Sequence, residues 1–96
     1  MPWINNAIPA QPLLEKQPNS MVKLVYKGEA KIKAFGILTL APGVEAKLIN
    51  AQLVQVVPAD KLAVIDQSII PDAKGKRVFI VAVDMNNNVS PMTELK

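Results

Sequence analysis

The chain has 96 residues and a formal net charge of +3, and half of its residues are apolar. It contains neither cysteine nor histidine. That composition excludes disulfides, thiolate zinc sites and a thiol nucleophile, and it removes the commonest general base and metal ligand. The length is that of one domain, and no apolar run reaches the roughly 20 residues of a membrane span. The lysines alternate with apolar residues instead of clustering around aromatic rings, so we expect no nucleic-acid partner and no direct membrane insertion.

The first twelve residues are rich in proline. Pro2, Pro9 and Pro12 each fix φ and lack a backbone donor, which predicts an extended lead-in or linker over residues 1–12 and one sandwich domain over residues 13–96. The first six residues have neither the basic nor the apolar region of a signal peptide, so we expect any export signal to lie upstream of them.

Seven short segments have the pattern of strands, either by period-two alternation or by β-branched content. They cover residues 13–16, 21–27, 31–40, 53–57, 61–66, 76–84 and 89–95. Gly36, inside the third segment, indicates a bulge or a close approach to the backbone. A short helical turn fits residues 46–52. Strands of this length, separated by turn residues, predict an all-β, immunoglobulin-like sandwich of about seven antiparallel strands.

The last third of the chain carries a family motif. Residues 81–91, VAVDMNNNVSP, resemble the TAVDxxGNxSxP closing hairpin of fibronectin type III domains, and residues 63–68 resemble the strand and turn that precede it. Tyr26 stands where a tryptophan usually packs in that family. Two positions depart from the pattern, because Val78 replaces the corner tyrosine and asparagines within residues 86–88 replace the turn glycine. The resemblance covers residues 9–95 and implies a fibronectin type III sandwich.

The opening MPWINNAIPAQP is similar to a narrower group. It resembles the PxPWxDxxxPxxP segment through which family-10-like glycosidase lipoproteins of Bacteroidetes leave their barrel and enter a C-terminal sandwich. This resemblance implies a bacterial, extracytoplasmic location, whether secreted, periplasmic or on the cell surface as a lipoprotein. It also implies a glycan-related parent protein and places Trp3 at a linker contact between domains.

The polar residues of the chain are typical of turns and do not indicate a catalytic or metal site. Asp84, Asn86 and Asn88 have the spacing that begins a calcium loop, but Val89 and Leu95 stand where that loop needs glycine and glutamate. We therefore expect a polar hairpin tip. Four aspartates are candidates for a glycosidase pair, but all lie at strand ends or turns, where aspartate accepts backbone hydrogen bonds. They are Asp60, Asp66, Asp72 and Asp84. We expect no enzyme, no cofactor and no metal site.

The sixth predicted strand is apolar on both faces. One face of this strand should point to solvent, but its residues Phe79, Val81 and Val83 are apolar. Leu38 and Leu40 of the third strand extend this apolar face. Contiguous exposed apolar surface marks interfaces. We therefore expect a non-catalytic accessory module that docks these five residues on a neighbouring domain of the same parent chain. Lysines at 81 and 83 should then leave an isolated domain folded. The alternative is that central strands carry β-branched residues on both faces without any partner.

A second function stays open from the sequence. The chain has four aromatic residues, and two of them, Trp3 and Phe79, are candidates for an exposed platform. On this reading the chain is a carbohydrate-binding module whose partner is a polysaccharide.

Overall fold

The computed structural model describes residues 8–59 and 62–96, and these form seven strands with two short 3-10 turns. The strands are β1 (Leu13–Lys16), β2 (Met21–Val25), β3 (Ile32–Leu40), β4 (Gln52–Pro58), β5 (Ala63–Asp66), β6 (Arg77–Asp84) and β7 (Thr93–Leu95). The turns cover Leu48–Asn50 and Gln67–Ile69. All seven predicted strands are confirmed, with the second, fifth and last at least two residues shorter than predicted. Within the described ranges no helix is long and apolar enough to cross a membrane.

The strands form two antiparallel sheets, with the orders β1-β2-β5 and β4-β3-β6-β7. This arrangement is an immunoglobulin-like sandwich, as predicted. β3 and β6 are the two central strands of the larger sheet, and β4 lies at its edge because it pairs with β3 and not with β5.

The core between the sheets is formed by alternate residues of the central strands, as the pleat requires. Its buried members are Val22, Leu24, Phe35, Ile37, Ala63, Ile65, Ile70, Val78, Ile80, Ala82 and Leu95. Thr39 lies opposite Val78 in the register and is equally shielded, but its Oγ1 has no hydrogen-bond partner. The Thr39 hydroxyl is thus buried without a hydrogen bond to offset its loss of solvation.

Residues 8–12, the described part of the predicted lead-in, pack against the sandwich. The side chains of Pro9 and Pro12 are fully buried. The backbone N–H of Ala10 donates to the Tyr26 hydroxyl at 3.3 Å, and the Thr93 hydroxyl donates to the Pro12 carbonyl at 2.6 Å. The chain therefore joins the packed structure several residues before β1 begins.

Candidate docking surface

The centre of the larger sheet's outer face is buried within the chain itself. Leu38, Leu40, Phe79 and Val81 form a second apolar cluster there, each between 1% and 4% exposed, and Val83 is half-buried against it. The expectation that these side chains form an exposed surface is wrong for the first four. A lysine at Val81 would bury a charge, so we now expect it to destabilise even an isolated domain.

Two loops of the chain supply this cover. Ala51, at the end of the β3–β4 connection, packs against the cluster from one side. Val89 and Met92, in the β6–β7 connection, pack against it from the other. The outer-face cluster, defined as Leu38, Leu40, Phe79 and Val81, is therefore a small second core of the domain.

A charged pair closes the β7 side of this face. The Arg77 guanidinium lies 5.1 Å from the centroid of the Phe79 ring, a cation–π arrangement. It donates two hydrogen bonds to Glu94, Nε to Oε2 at 3.0 Å and Nη2 to Oε1 at 2.8 Å, and this contact lowers the pKa of Glu94. Phe79 is thus covered and offers no face for stacking on a sugar. Trp3, the other ring of that prediction and the predicted linker contact, lies outside the described residues.

The β4 side of the same face is open. A groove of about 270 Å³ lies there, and every residue that lines it is apolar. Its floor is Gly36, where an added Cβ would lie 3.1 Å from Val81 Cγ2 and 3.2 Å from Leu53 Cδ1. The predicted close approach at Gly36 is therefore confirmed. Leu48, Leu53 and Val56 line this groove and are 46%, 56% and 58% exposed; we call these three the β4 apolar surface.

Exposed apolar side chains are concentrated in the part of the sequence that leads into β4 and through it. The described residues expose ten large apolar side chains, and half of them fall between positions 44 and 56. Those five are Val44, Leu48, Ile49, Leu53 and Val56. Since an interface is expected where exposed apolar residues are contiguous, this segment is the place to look for one.

A bulge in β4 creates the β4 apolar surface. Leu53 lies opposite Leu38 and Val56 lies opposite Gly36, although strict alternation would put residues 53 and 56 on opposite faces. The register shift makes Val54 an extra residue, so Leu53 before it and Val56 two positions after it both face outward. Sequence reasoning missed these residues because nothing in the β-branched run distinguishes a bulged strand from a regular one.

The predicted calcium or hairpin residues form the tip of the β6–β7 connection. Asp84 Oδ1 accepts the backbone N–H groups of Asn86 and Asn88, both at 2.8 Å, and Oδ2 accepts the Asn88 side-chain amide at 2.9 Å. The Asn88 side chain is the main cause of a lowered pKa at Asp84. Asn87 has a φ of 66°, so an asparagine takes the left-handed position of the missing glycine. The Asp84 carboxylate therefore stabilises this turn through its hydrogen bonds.

The other described aspartates also lie at a strand end or in a loop. Asp66 Oδ1 accepts the backbone N–H of Ser68 at 2.9 Å and its hydroxyl at 2.6 Å, and the hydroxyl contact is the main reason for its lowered pKa. Asp72 lies in the loop before β6 with a φ of 53°. Asp60 lies outside the described residues. Across the described ranges no three acidic residues come together as a metal site would need.

Comparison of the chain with family models, with curated proteins and with solved structures finds no match. The resemblance to fibronectin type III domains therefore stays a prediction, and the immunoglobulin-like fold rests on the strand order.

Proposed function

We propose that this chain is a non-catalytic accessory module of a larger extracytoplasmic, glycan-related protein. It docks on a neighbouring domain of its own parent chain through the β4 apolar surface. The observation that supports this proposal best is the open groove with entirely apolar walls, bordered by Leu48, Leu53 and Val56. The extracytoplasmic and glycan-related context comes from the resemblance of residues 1–12.

The size of the surface suits a contact within one chain. Each of the three side chains is about half exposed, so covering them contributes roughly 1 kcal/mol each, or ~3 kcal/mol gross. That is too little for tight association between separate molecules, which must offset at least ~4 kcal/mol of lost rotational and translational freedom. A covalent link between domains removes most of that cost.

The polar groups support a role without catalysis. The carboxylates of Asp66 and Asp84 accept hydrogen bonds from neighbouring turn residues, and this lowers their pKa values. A general acid near neutral pH needs the opposite shift. These aspartates therefore fit turn-forming roles, and the chain has no histidine or cysteine to replace them.

The test is the double variant Leu53→Lys/Val56→Lys, made in the isolated chain and in the full-length product of its reading frame. In the isolated chain both side chains are more than half exposed, so we expect the unfolding free energy to fall by no more than about 1 kcal/mol for each position. In the full-length protein we expect a lower unfolding temperature, because a charge cannot enter the apolar contact.

Leu13→Lys/Met85→Lys is the matched control. These positions are 47% and 57% exposed and belong to β1 and to the β6–β7 connection, and neither lines the groove or the recess beside β4. The proposal fails if the full-length protein tolerates lysines at 53 and 56 as well as it tolerates the control. It also fails if the reading frame encodes no further domain.

A further inference from the structure

The four edge strands of the sandwich are not equally protected. β4 has seven residues, against four in β1, four in β5 and three in β7. Its sequence, QLVQVVP, contains no charged residue, whereas each of the other three edges carries at least one. Those charges are Glu15 and Lys16 in β1, Asp66 in β5 and Glu94 in β7.

A sheet edge displays backbone N–H and C=O groups that only another extended backbone can pair in series. Natural edges are usually blunted by charges, by proline or by a bulge. β4 pairs with β3 alone among the described strands and keeps a bulge and a terminal Pro58, but residues 52–57 of β4 carry no charge of their own.

One side of this edge is apolar and the other is mainly apolar. The groove beside Leu53 and Val56 lies on the outer face. On the other side a recess of about 510 Å³ opens between β4 and β5; Val57, Val64 and Ile69 are among its lining residues, together with the polar Gln55 and Asp66. Successive side chains of a strand point to opposite faces, so a strand added to β4 would direct one set of side chains toward the groove and the other toward the recess.

We propose that the partner contributes an extended polypeptide segment that pairs with β4 and becomes the fifth strand of the larger sheet. This inference rests on the proposed function, because it specifies how the neighbouring domain is held. The matching segment is uncharged over about five residues, the usual length of a strand, and carries apolar side chains on both faces.

Backbone amide hydrogen exchange tests the pairing directly. In the isolated chain, the β4 amides that point away from β3 are expected to exchange rapidly. In the full-length protein we expect them to exchange at least about tenfold more slowly, because strand addition gives them hydrogen-bond partners. The amides of β1, which is an edge strand of the other sheet, should exchange at equal rates in both proteins.

The variant Gln52→Lys/Gln55→Lys blocks the edge without changing the β4 apolar surface. Both glutamines are exposed and lie opposite Thr39 and Ile37, on the side away from Leu53 and Val56. We expect it to abolish the slowing of exchange in the full-length protein. Gln17→Lys, another exposed glutamine changed to lysine, should leave the slowing intact.

The outcomes separate this inference from the function on which it rests. Unchanged β4 exchange overturns strand addition. If Leu53→Lys/Val56→Lys still lowers the stability of the full-length protein, docking through the side chains alone survives. If neither experiment shows an effect, both proposals fall. The β4 amides could instead be protected from exchange in the isolated chain, to a degree that increases with protein concentration. That result would show that a second copy of the chain pairs with β4, and it would also overturn the inference.

Discussion

Leu38 and Leu53 lie directly opposite each other on the same face of the larger sheet, but they differ greatly in exposure, 4% against 56%. They therefore form a matched pair for testing whether the outer-face cluster is a second core or part of a contact surface. The perturbation is the same for both, replacement of leucine by alanine in the isolated chain.

The expected magnitudes follow from burial. Replacement of leucine by alanine removes three carbon atoms, whose full burial contributes ~2.4 kcal/mol to the unfolding free energy. At Leu38 the change also leaves a cavity in the outer-face cluster, which raises the expected loss to about 3 kcal/mol. Less than half of Leu53 is withdrawn from solvent, and the groove beside it is already open. The same change there should cost about 1 kcal/mol.

Urea unfolding followed by far-ultraviolet circular dichroism measures both values. With a slope of ~1.5 kcal/mol per molar urea, Leu38→Ala should lower the midpoint by about 2 M and Leu53→Ala by less than 1 M, with the slope unchanged. Equal losses at the two positions would refute the division into a buried cluster and an open surface. A small loss of unfolding free energy for Leu38→Ala would instead indicate that the whole outer face of the larger sheet is a contact surface.

Three further predictions concern the isolated domain. Ser90→Ala should cost about 1–3 kcal/mol in unfolding free energy, because Ser90 Oγ accepts the buried N–H of Ala82 at 2.8 Å; a loss below ~0.5 kcal/mol would contradict this role. Thr39→Val should raise unfolding free energy by about 1 kcal/mol, since it replaces a buried hydroxyl that lacks a partner with a methyl group of the same shape; a clear loss would show that the hydroxyl is satisfied. Stability should fall as the solution is acidified below pH 4, because hydrogen bonds lower the pKa values of Asp84 and Glu94 from 3.8 and 4.5 in the folded chain; a stability independent of pH between 5 and 2 would contradict these contacts.

The fold could be predicted from the sequence because its signals are local. Alternation in residues 21–25 and the long apolar run at 78–83 define strands by themselves, and turn residues separate them. The asparagine tip also followed from residue chemistry, since asparagine tolerates the positive φ that Asn87 adopts.

The location of the surface could not be predicted in the same way. Whether Phe79 is exposed depends on Arg77 and on loops that pack over it, and those contacts are tertiary. The outward position of Val56 depends on the bulge at Val54, which has no distinct sequence pattern. The sequence predicts an exposed docking surface on the apolar outer face of β6; its residues are instead covered within the chain, and the open apolar surface lies beside β4.

The central claim is that the β4 apolar surface is free in the isolated chain and covered in the full-length protein. The chain has no cysteine, so a single thiol can be introduced by Leu53→Cys and compared with one introduced by Leu13→Cys, at a leucine of similar exposure in β1. A covered thiol reacts more slowly with a water-soluble alkylating reagent, because reaction requires access of the reagent to the thiolate. We predict similar rates for both thiols in the isolated chain, and a rate at position 53 at least about tenfold lower in the full-length protein while position 13 is unchanged. Equal rates at position 53 in the two proteins would contradict docking through this surface.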